Sequence, residues 1–209
     1  NLEGKKISTS RNWAVWLHEY LEDFKDHQDT LRYALCATAP ETKDNDFTWK
    51  DFQARNNSEL VAILGNFVNR VLVLMNKYYD GAIPAKGELA EVDKEVLLQL
   101  REAPGKIGSK LDEFKFREAQ AAMMQIARLG NKYLADEEPW KKVKTDADRT
   151  ATIMYVAAQV AGQLSQMMEP FLPFTAKKLR GFLGLELMKW EDCRTDEFLK
   201  EGTKVEKGE

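Results

Sequence analysis

Three side chains suited to reading RNA bases lie in two separate segments of the sequence. Asn66 and Arg70 lie four residues apart in an apolar, helix-forming stretch, and Trp140 follows Pro139 in a short polar stretch. Side chains four residues apart project side by side from a helix. Amide and guanidinium groups suit the Watson–Crick edges of splayed bases, and a guanidinium can also stack on them. Asn66 and Arg70 therefore predict a base-reading helix face, and the alternative is an ordinary solvated face.

Trp140 is a large aromatic residue between acidic and basic neighbours. Three acids stand shortly before it and three lysines after it: Asp136, Glu137, Glu138, Lys141, Lys142 and Lys144. An exposed ring beside cations offers a base a stacking surface and neutralises phosphate, with about 1–3 kcal/mol per stacked base. The alternative is that Trp140 tucks under the turn as a local plug. The remaining tryptophans fit apolar faces or helix starts, and we assign them to packing: Trp13, Trp16, Trp49 and Trp190.

Composition excludes several other kinds of site. The two cysteines, Cys36 and Cys193, form no Cys-x-x-Cys pair, which argues against a disulfide framework and a structural zinc site. The two histidines, His18 and His27, are too few for a metal or hydrolase constellation. A net charge of −3 requires that any RNA binding come from a local patch. No uninterrupted apolar run has the length of a membrane span, so no membrane partner is expected.

The segments that must position these side chains are predicted to be helices throughout. Apolar residues recur at helical spacing, and no sustained period-two alternation or internal repeat is present. Asp29 is expected to cap the second helix, Thr48 precedes the long third one, and Pro104 is expected to separate two later ones. The predicted helical ranges are 13–24, 29–39, 49–79, 90–103, 106–135, 146–168 and 173–183, with a turn over 136–144. The predicted fold is all-α, an antiparallel helix bundle.

Three parts of the chain are predicted. Residues 1–47 form a small linking element, 48–190 form the helical bundle, and 191–209 form a charged linker or frayed tail.

Five short motifs occur in an order that resembles the methionyl-tRNA synthetase family of class I aminoacyl-tRNA synthetases. They are Lys6 to Arg11, Asp29 to Tyr33, Asp44 to Phe47, Asn66 to Arg70 and Asp136 to Trp140. The resemblance runs from residue 3 to about 190 and implies the C-terminal part of such an enzyme. The implied fold is the anticodon-binding bundle, preceded by an element that carries the signature loop and touches the inner side of the tRNA.

The resemblance also implies the RNA ligand and its contacts. Asn66 and Arg70 match the residues that contact the anticodon, and Trp140 matches the one that stacks on its first base. Ala62 stands where some members place a further Asn. The implied partners are the CAU anticodon stem-loop of methionine tRNA and the catalytic domain of the same polypeptide. No DNA partner is expected.

Lys6, Ile7, Ser8, Thr9 and Ser10 resemble the family's Lys-Met-Ser-Lys-Ser loop, which closes over ATP. Ile7 replaces Met conservatively. Thr9 replaces a Lys and removes a positive charge expected near the ATP phosphates. Lys5 is positioned in the sequence to compensate.

The catalytic half implied by the resemblance has no counterpart in this sequence. No His-x-x-His motif and no strand–glycine-rich turn–helix pattern occur. We therefore expect a fragment that is inactive alone and holds neither cofactor nor metal. The parent would be a cytoplasmic methionine–tRNA ligase that uses ATP with Mg²⁺.

Two alternatives to this function are carried forward. One is the bundle of a related class I synthetase, such as one for leucine, valine or cysteine. The other is a helical protein–protein interaction module without RNA binding. Salt separates RNA binding from the second alternative, because phosphate contacts weaken steeply as salt is added.

Overall fold

The computed structural model describes residues 1–208 and confirms the all-α class. Within these residues, β-structure is limited to isolated bridges. The α-helices in chain order are α1 (Leu17–Asp23), α2 (Gln28–Ala37), α3 (Trp49–Arg55), α4 (Asn66–Tyr79), α5 (Glu91–Asp112), α6 (Phe116–Glu137), α7 (Pro139–Lys142), α8 (Ala147–Met167) and α9 (Pro173–Leu183).

The predicted long helix is continuous from Trp49 to Tyr79, but it changes its winding. Between α3 and α4, residues Asn56–Gly65 form a π-helix, in which hydrogen bonds span five residues instead of four. Thr48, which the sequence analysis placed just before this helix, caps it, since its hydroxyl accepts a hydrogen bond from the Asp51 N–H at 3.1 Å. The helix ends at Asp80, whose φ of 51° is left-handed.

This helix has the length and mean hydropathy (1.5) of a membrane span. One row of its apolar side chains nevertheless packs inside the bundle, where Phe67, Val71 and Met75 are buried, while Val61 and Val73 are exposed. Its opposite side carries Asn66, Asn69 and Arg70. One buried apolar face and one polar face are typical of a core helix in a globular protein.

Helix α8 is the centre of the bundle. Every residue from Thr152 to Met167 is buried, and α4, α5, α6, α7 and α9 all contact it. A helix that is buried all round must be surrounded by other elements, since no face of it is left for water. The bundle therefore fixes α4, α6 and α7 against one common support.

The first helix of the linking element is shorter than predicted, and the element is joined closely to the bundle. Helix α1 begins at Leu17 instead of residue 13, because Trp13 is held in a bridge to Ser8. The prediction that Asp29 caps α2 was wrong. Its carboxylate instead accepts two hydrogen bonds from Thr175 of α9, each at 2.6 Å, which fastens α2 to the bundle.

The predicted break at Pro104 was also wrong, since α5 runs through it. A proline inside a helix removes one backbone hydrogen bond. Here Ala103, Pro104 and Ile107 are buried in the core, and the Trp190 indole N–H donates to the Pro104 carbonyl at 3.0 Å. Packing against the core outweighs the local preference for a break.

The segment predicted as a charged tail packs onto the bundle instead. Phe198 and Leu199 are buried, and both of their N–H groups donate to Oε1 of Gln159 on α8, at 2.7 and 3.0 Å. Further on, the Val205 N–H donates to the Gly81 carbonyl at 2.8 Å. The apolar residues of this segment pack onto the bundle, although the charged residues around them predicted a tail. Glu209, the last residue of that prediction, lies outside the described residues.

Gly130 lies where α6 approaches the long helix, and Gly181 of α9 provides a control for substituting it. A Cβ built on Gly130 would lie 2.3 Å from the ring of Phe67, whereas one on Gly181 of α9 meets nothing within 4 Å. We expect Gly130→Ala to lower the free energy of unfolding by about 1–3 kcal/mol through overpacking. Gly181→Ala should raise it by about 1 kcal/mol through helix propensity. Urea denaturation measures both, and stabilisation by Gly130→Ala would contradict the close approach.

Candidate nucleic-acid interface

The structure brings together the three side chains that the sequence singled out for RNA. The guanidinium carbon of Arg70 lies 4.8 Å from the centre of the Trp140 ring, a cation–π contact. Asn66 is exposed one helical turn before Arg70. An amide, a guanidinium and an indole therefore line one seam where α4 meets α6 and α7, and we call it the α4–α7 seam.

The backbone of the turn fixes where Trp140 points. Helix α6 ends at Glu138, whose φ of 43° and ψ of 57° are left-handed, and Pro139 is buried as the first residue of α7. Proline suits this first helical position because the N–H that it lacks would have no partner there. Trp140 is half-buried, with part of its ring packed against the main core. The Trp140 ring is thus neither fully buried under the turn nor fully exposed for stacking.

The lysines beside Trp140 are engaged with the acids of the same turn. Lys141 pairs with Glu138 at 2.7 Å and Lys142 with Glu137 at 2.9 Å. The Lys141–Glu138 pair is exposed, and such pairs contribute little to stability. In the other pair the Glu137 carboxylate is largely covered and is shared with Arg149. A phosphate would therefore compete with the carboxylate of the turn for Lys141 first.

Beneath the turn lies a charge cluster made of Asp93, Tyr133, Glu137 and Arg149, of which Asp93 and Tyr133 are buried. Arg149 of α8 forms a forked ion pair with Asp93 at the start of α5, and donates to Glu137 at 2.8 Å. The Tyr133 hydroxyl donates to Asp93 at 2.6 Å. These bonds join α5, α6 and α8 directly under the turn that carries Trp140.

The cluster changes the acid–base behaviour of its members. Burial alone would raise the pKa of the Asp93 carboxyl, but hydrogen bonds from Arg149 and Tyr133 outweigh burial and hold that pKa below its ordinary value. The pKa of Glu137 is likewise lowered, because Lys142 and Arg149 outweigh its burial. Burial and the neighbouring Asp93 raise the pKa of Tyr133. The carboxylates stay ionised at neutral pH, and the cluster is held by full charges.

Asn131 is a residue of this site that the sequence analysis did not identify. Its side-chain amide donates to the Ile63 carbonyl at 2.8 Å and to the Ala127 carbonyl at 3.2 Å. Its Oδ1 accepts from Nδ2 of Asn66 at 3.2 Å. An asparagine in mid-helix carries no local signal of such a role, because the role depends on the π-helix that α6 crosses.

A groove of about 900 Å³ runs beside the seam, between the long helix, α2 and α9. Asn66 and Asn69 stand on its lining, with apolar residues such as Leu64, Leu72 and Leu179. Ala62, at the position where the resemblance implies a further Asn in some members, also lines it. The groove offers room beside the seam, and its Ala62 position supplies no hydrogen-bonding side chain.

The signature loop lies on the linking element and is a closed turn. The Ser8 and Trp13 backbones exchange two hydrogen bonds of 2.9 Å, and the Asn12 N–H donates to the Thr9 carbonyl. Lys6, Ile7, Thr9 and Ser10 are exposed. The hydrogen bonds of Lys6 to Ser10 in the described residues stay within residues 8–13, so the loop is not part of the α4–α7 seam.

The groups on this loop suit phosphate better than a metal. Its exposed Lys6 and the hydroxyls of Ser8 and Ser10 are groups that bind phosphate oxygens. Lys5 lies over the Trp13 ring at 5.2 Å, so it must leave that ring to replace the charge that Thr9 lacks. Within residues 1–208, no group of three His, Cys, Asp or Glu side chains is placed to hold a metal ion.

Comparison with known families assigns both parts of the chain. Residues 1–72 match the family described as tRNA synthetases class I (M). Residues 83–209 match the anticodon binding domain of methionyl tRNA ligase. The gap between these matches begins within the last turns of the long helix and ends in the connection that follows it.

Individual proteins agree with this assignment. The methionine–tRNA ligase of Christiangramia forsetii is 65% identical over 88% of this chain, and that of Phocaeicola vulgatus 59% identical over all of it. These matches cover 26% and 31% of the relatives, so the chain spans less than a third of their length. The Mycobacterium tuberculosis methionyl-tRNA synthetase in complex with methionyl-adenylate superposes with a TM-score of 0.88 and 26% identity, over 98% of this chain and 41% of that one.

Proposed function

The chain belongs to the methionyl-tRNA ligase family through its anticodon binding domain, and we propose that its α4–α7 seam reads the anticodon of methionine tRNA. One observation carries the proposal: Arg70 and Trp140, far apart in sequence, are in direct contact, and Asn66 lies one turn away. A stacking ring beside two hydrogen-bonding side chains is what recognition of a single splayed base requires.

The geometry suggests how the first anticodon base is held. The base stacks on the open part of the Trp140 ring, while Asn66 and Arg70 bond its Watson–Crick edge. In the described state Arg70 covers the ring, so the guanidinium moves aside or stacks on the base when RNA enters. When the guanidinium stacks on the base, its cation–π contact with the Trp140 ring is replaced by one with the base.

The activity of the whole protein is inferred from the same family membership. We infer a cytoplasmic ligase that joins methionine to its tRNA with ATP and Mg²⁺, through a catalytic domain in the same polypeptide. In that enzyme, Lys6 to Ser10 would close over the ATP phosphates, with Thr9 in place of a cation. The 209-residue chain alone would neither activate methionine nor charge tRNA, and it would bind neither ATP nor metal by itself.

The domain boundaries remain part of the proposal. Residues 1–47 would contact the inner side of the tRNA and 48–190 would bind the anticodon, whereas 191–209 would not be the free linker that the charge pattern predicts. The packing of Phe198 and Leu199 onto α8 favours extending the anticodon-binding unit beyond residue 190.

A binding titration tests the function directly. The chain is titrated with a CAU anticodon stem-loop and with a matched loop whose first anticodon base is changed. We expect about 5- to 150-fold tighter binding of the CAU loop, since a good base contact supplies about 1–3 kcal/mol of discrimination.

The salt dependence of the same titration and the choice of loop separate the remaining alternatives. The affinity should fall steeply between low and physiological salt, because phosphate contacts release counterions. Tighter binding of a leucine, valine or cysteine anticodon loop would favour a related synthetase. Absence of binding to every loop would favour a protein–protein interaction module.

A further inference from the structure

The orientation of the Asn131 amide is fixed by its own hydrogen bonds. A primary amide has two N–H donors on nitrogen and acceptor lone pairs on oxygen. Both donors of Asn131 are used, one by the Ile63 carbonyl at 2.8 Å and one by the Ala127 carbonyl at 3.2 Å. Carbonyls can only accept, so the amide nitrogen must face them. Its Oδ1 is then the atom that faces Asn66.

The fixed oxygen of Asn131 in turn determines how Asn66 is oriented. Nδ2 of Asn66 donates to Oδ1 of Asn131 at 3.2 Å. If the Asn66 amide were reversed, two acceptor oxygens would face each other at that distance. The Oδ1 of Asn66 is therefore turned away from Asn131, and among residues 1–208 no hydrogen bond to this oxygen is formed. Asn66 offers an acceptor on the exposed side of the seam.

The helix geometry makes this arrangement rigid. Ile63 belongs to the last turn of the π-helix, so one Asn131 side chain bonds both the end of the π-helix and the first residue of α4. Gly130 allows α6 to pass directly against the Phe67 ring at this level. Phe67 is fully buried. The packing therefore leaves Asn131 little freedom to move away from Asn66.

We propose that Asn131 is a positioning residue that makes the seam select a base with an amino group. The inference rests on the proposed function. Cytosine presents an amino donor where uracil presents a carbonyl acceptor. The oriented Oδ1 of Asn66 accepts from the amino group and repels the carbonyl. Asn131 touches no base, yet it sets the preference for cytosine over uracil at the first anticodon position.

Stem-loop titrations with Asn131 variants test the proposal. In Asn131→Ala, the Asn66 amide is free to reverse and donate to a uracil carbonyl. The ratio of Kd values for uracil-first and cytosine-first loops should fall by about three- to tenfold, the contribution of one hydrogen bond. Gln125→Ala removes an exposed amide from the same helix and should leave the ratio unchanged. Asn131→Ser, whose hydroxyl can still donate to the carbonyl one turn back, is the variant to use if alanine unfolds the chain.

A base analogue gives a readout that needs no variant. A loop that begins with pyrimidin-2-one, which is cytosine without its amino group, should bind the unmodified chain about three- to tenfold more weakly than the CAU loop. In Asn131→Ala this difference should shrink. Equal affinity of the unmodified chain for both loops would overturn the proposal.

The possible failures are distinguishable. If the unmodified chain binds no anticodon loop, or binds all of them equally, the proposed function fails. If it prefers cytosine and the Asn131 variants keep the same ratio of Kd values, the positioning role alone is overturned. A general loss of affinity with an unchanged ratio would indicate a structural role for Asn131 and would also overturn it.

Discussion

Replacing Arg149 by Met should lower the free energy of unfolding by about 3–5 kcal/mol. Arg149 is the cationic partner of Asp93, whose side chain is fully buried. Methionine fills a similar volume but leaves the Asp93 carboxylate without its counter-charge in the interior. The measurement is urea denaturation at neutral pH. A loss below about 1 kcal/mol, as for a surface ion pair, would show that the cluster does not hold the bundle together.

As the pH falls, the free energy of unfolding should decrease in the unmodified chain and increase in Arg149→Met. In the unmodified chain the pKa of Asp93 is lowered, so its contribution to stability is complete above the unfolded-state pKa of about 4 and is lost as the pH falls further. Without Arg149, burial raises that pKa, and protonation at low pH relieves the unpaired charge. The difference in stability should therefore shrink from neutral pH to about pH 4. Arg101→Met, which breaks an exposed pair with Asp196, is the control and should cost less than about 1 kcal/mol.

Replacing Trp140 by Ala should weaken binding of the CAU stem-loop by about 1–3 kcal/mol, or about 5- to 150-fold in Kd. Alanine removes the ring on which the first anticodon base is proposed to stack. It also releases Arg70 from its contact at 4.8 Å, so a partner that pre-orders the guanidinium is lost. Titration of the variant with the CAU loop measures the effect.

Since part of the Trp140 ring packs against the core, the binding loss must be separated from a loss of folding. Trp140→Phe keeps a ring for stacking and should retain most of the affinity. Trp190→Phe changes an indole that packs against Gly108 of α5 and should leave the Kd unchanged. Unaltered CAU binding by folded Trp140→Ala would contradict the stacking role.

Local sequence signals predicted most helices but failed where distant residues decide the structure. The Thr48 cap was predictable because its partner, Asp51, is three residues away. Asp29 looked equally suited to capping, yet its partner is Thr175, 146 residues later. The helix through Pro104 and the packed segment around Leu199 likewise depend on α8 and Trp190, which no local pattern indicates.

The same division applies to the candidate site. Asn66 and Arg70 were identified from their spacing, and Trp140 from its polar surroundings, because those signals are local. Their contact, and the part taken by Asn131, arise only when α6 crosses the long helix at Gly130. The π-helix at that crossing has no sequence signature that we could identify. The base-reading roles of these residues stay predictions until the titrations are made.

The hydrogen bond between the end of the long helix and the C-terminal segment can form only late during synthesis on the ribosome. Lys204 donates to the Asp80 carbonyl at 2.8 Å across 124 residues of sequence. At about 5–20 residues per second, the end of the long helix emerges about 6–25 s before its partner. Ile83, buried beside these contacts in the finished fold, lacks its C-terminal cover throughout that interval. This edge of the bundle is therefore completed only after residue 205 has left the ribosome.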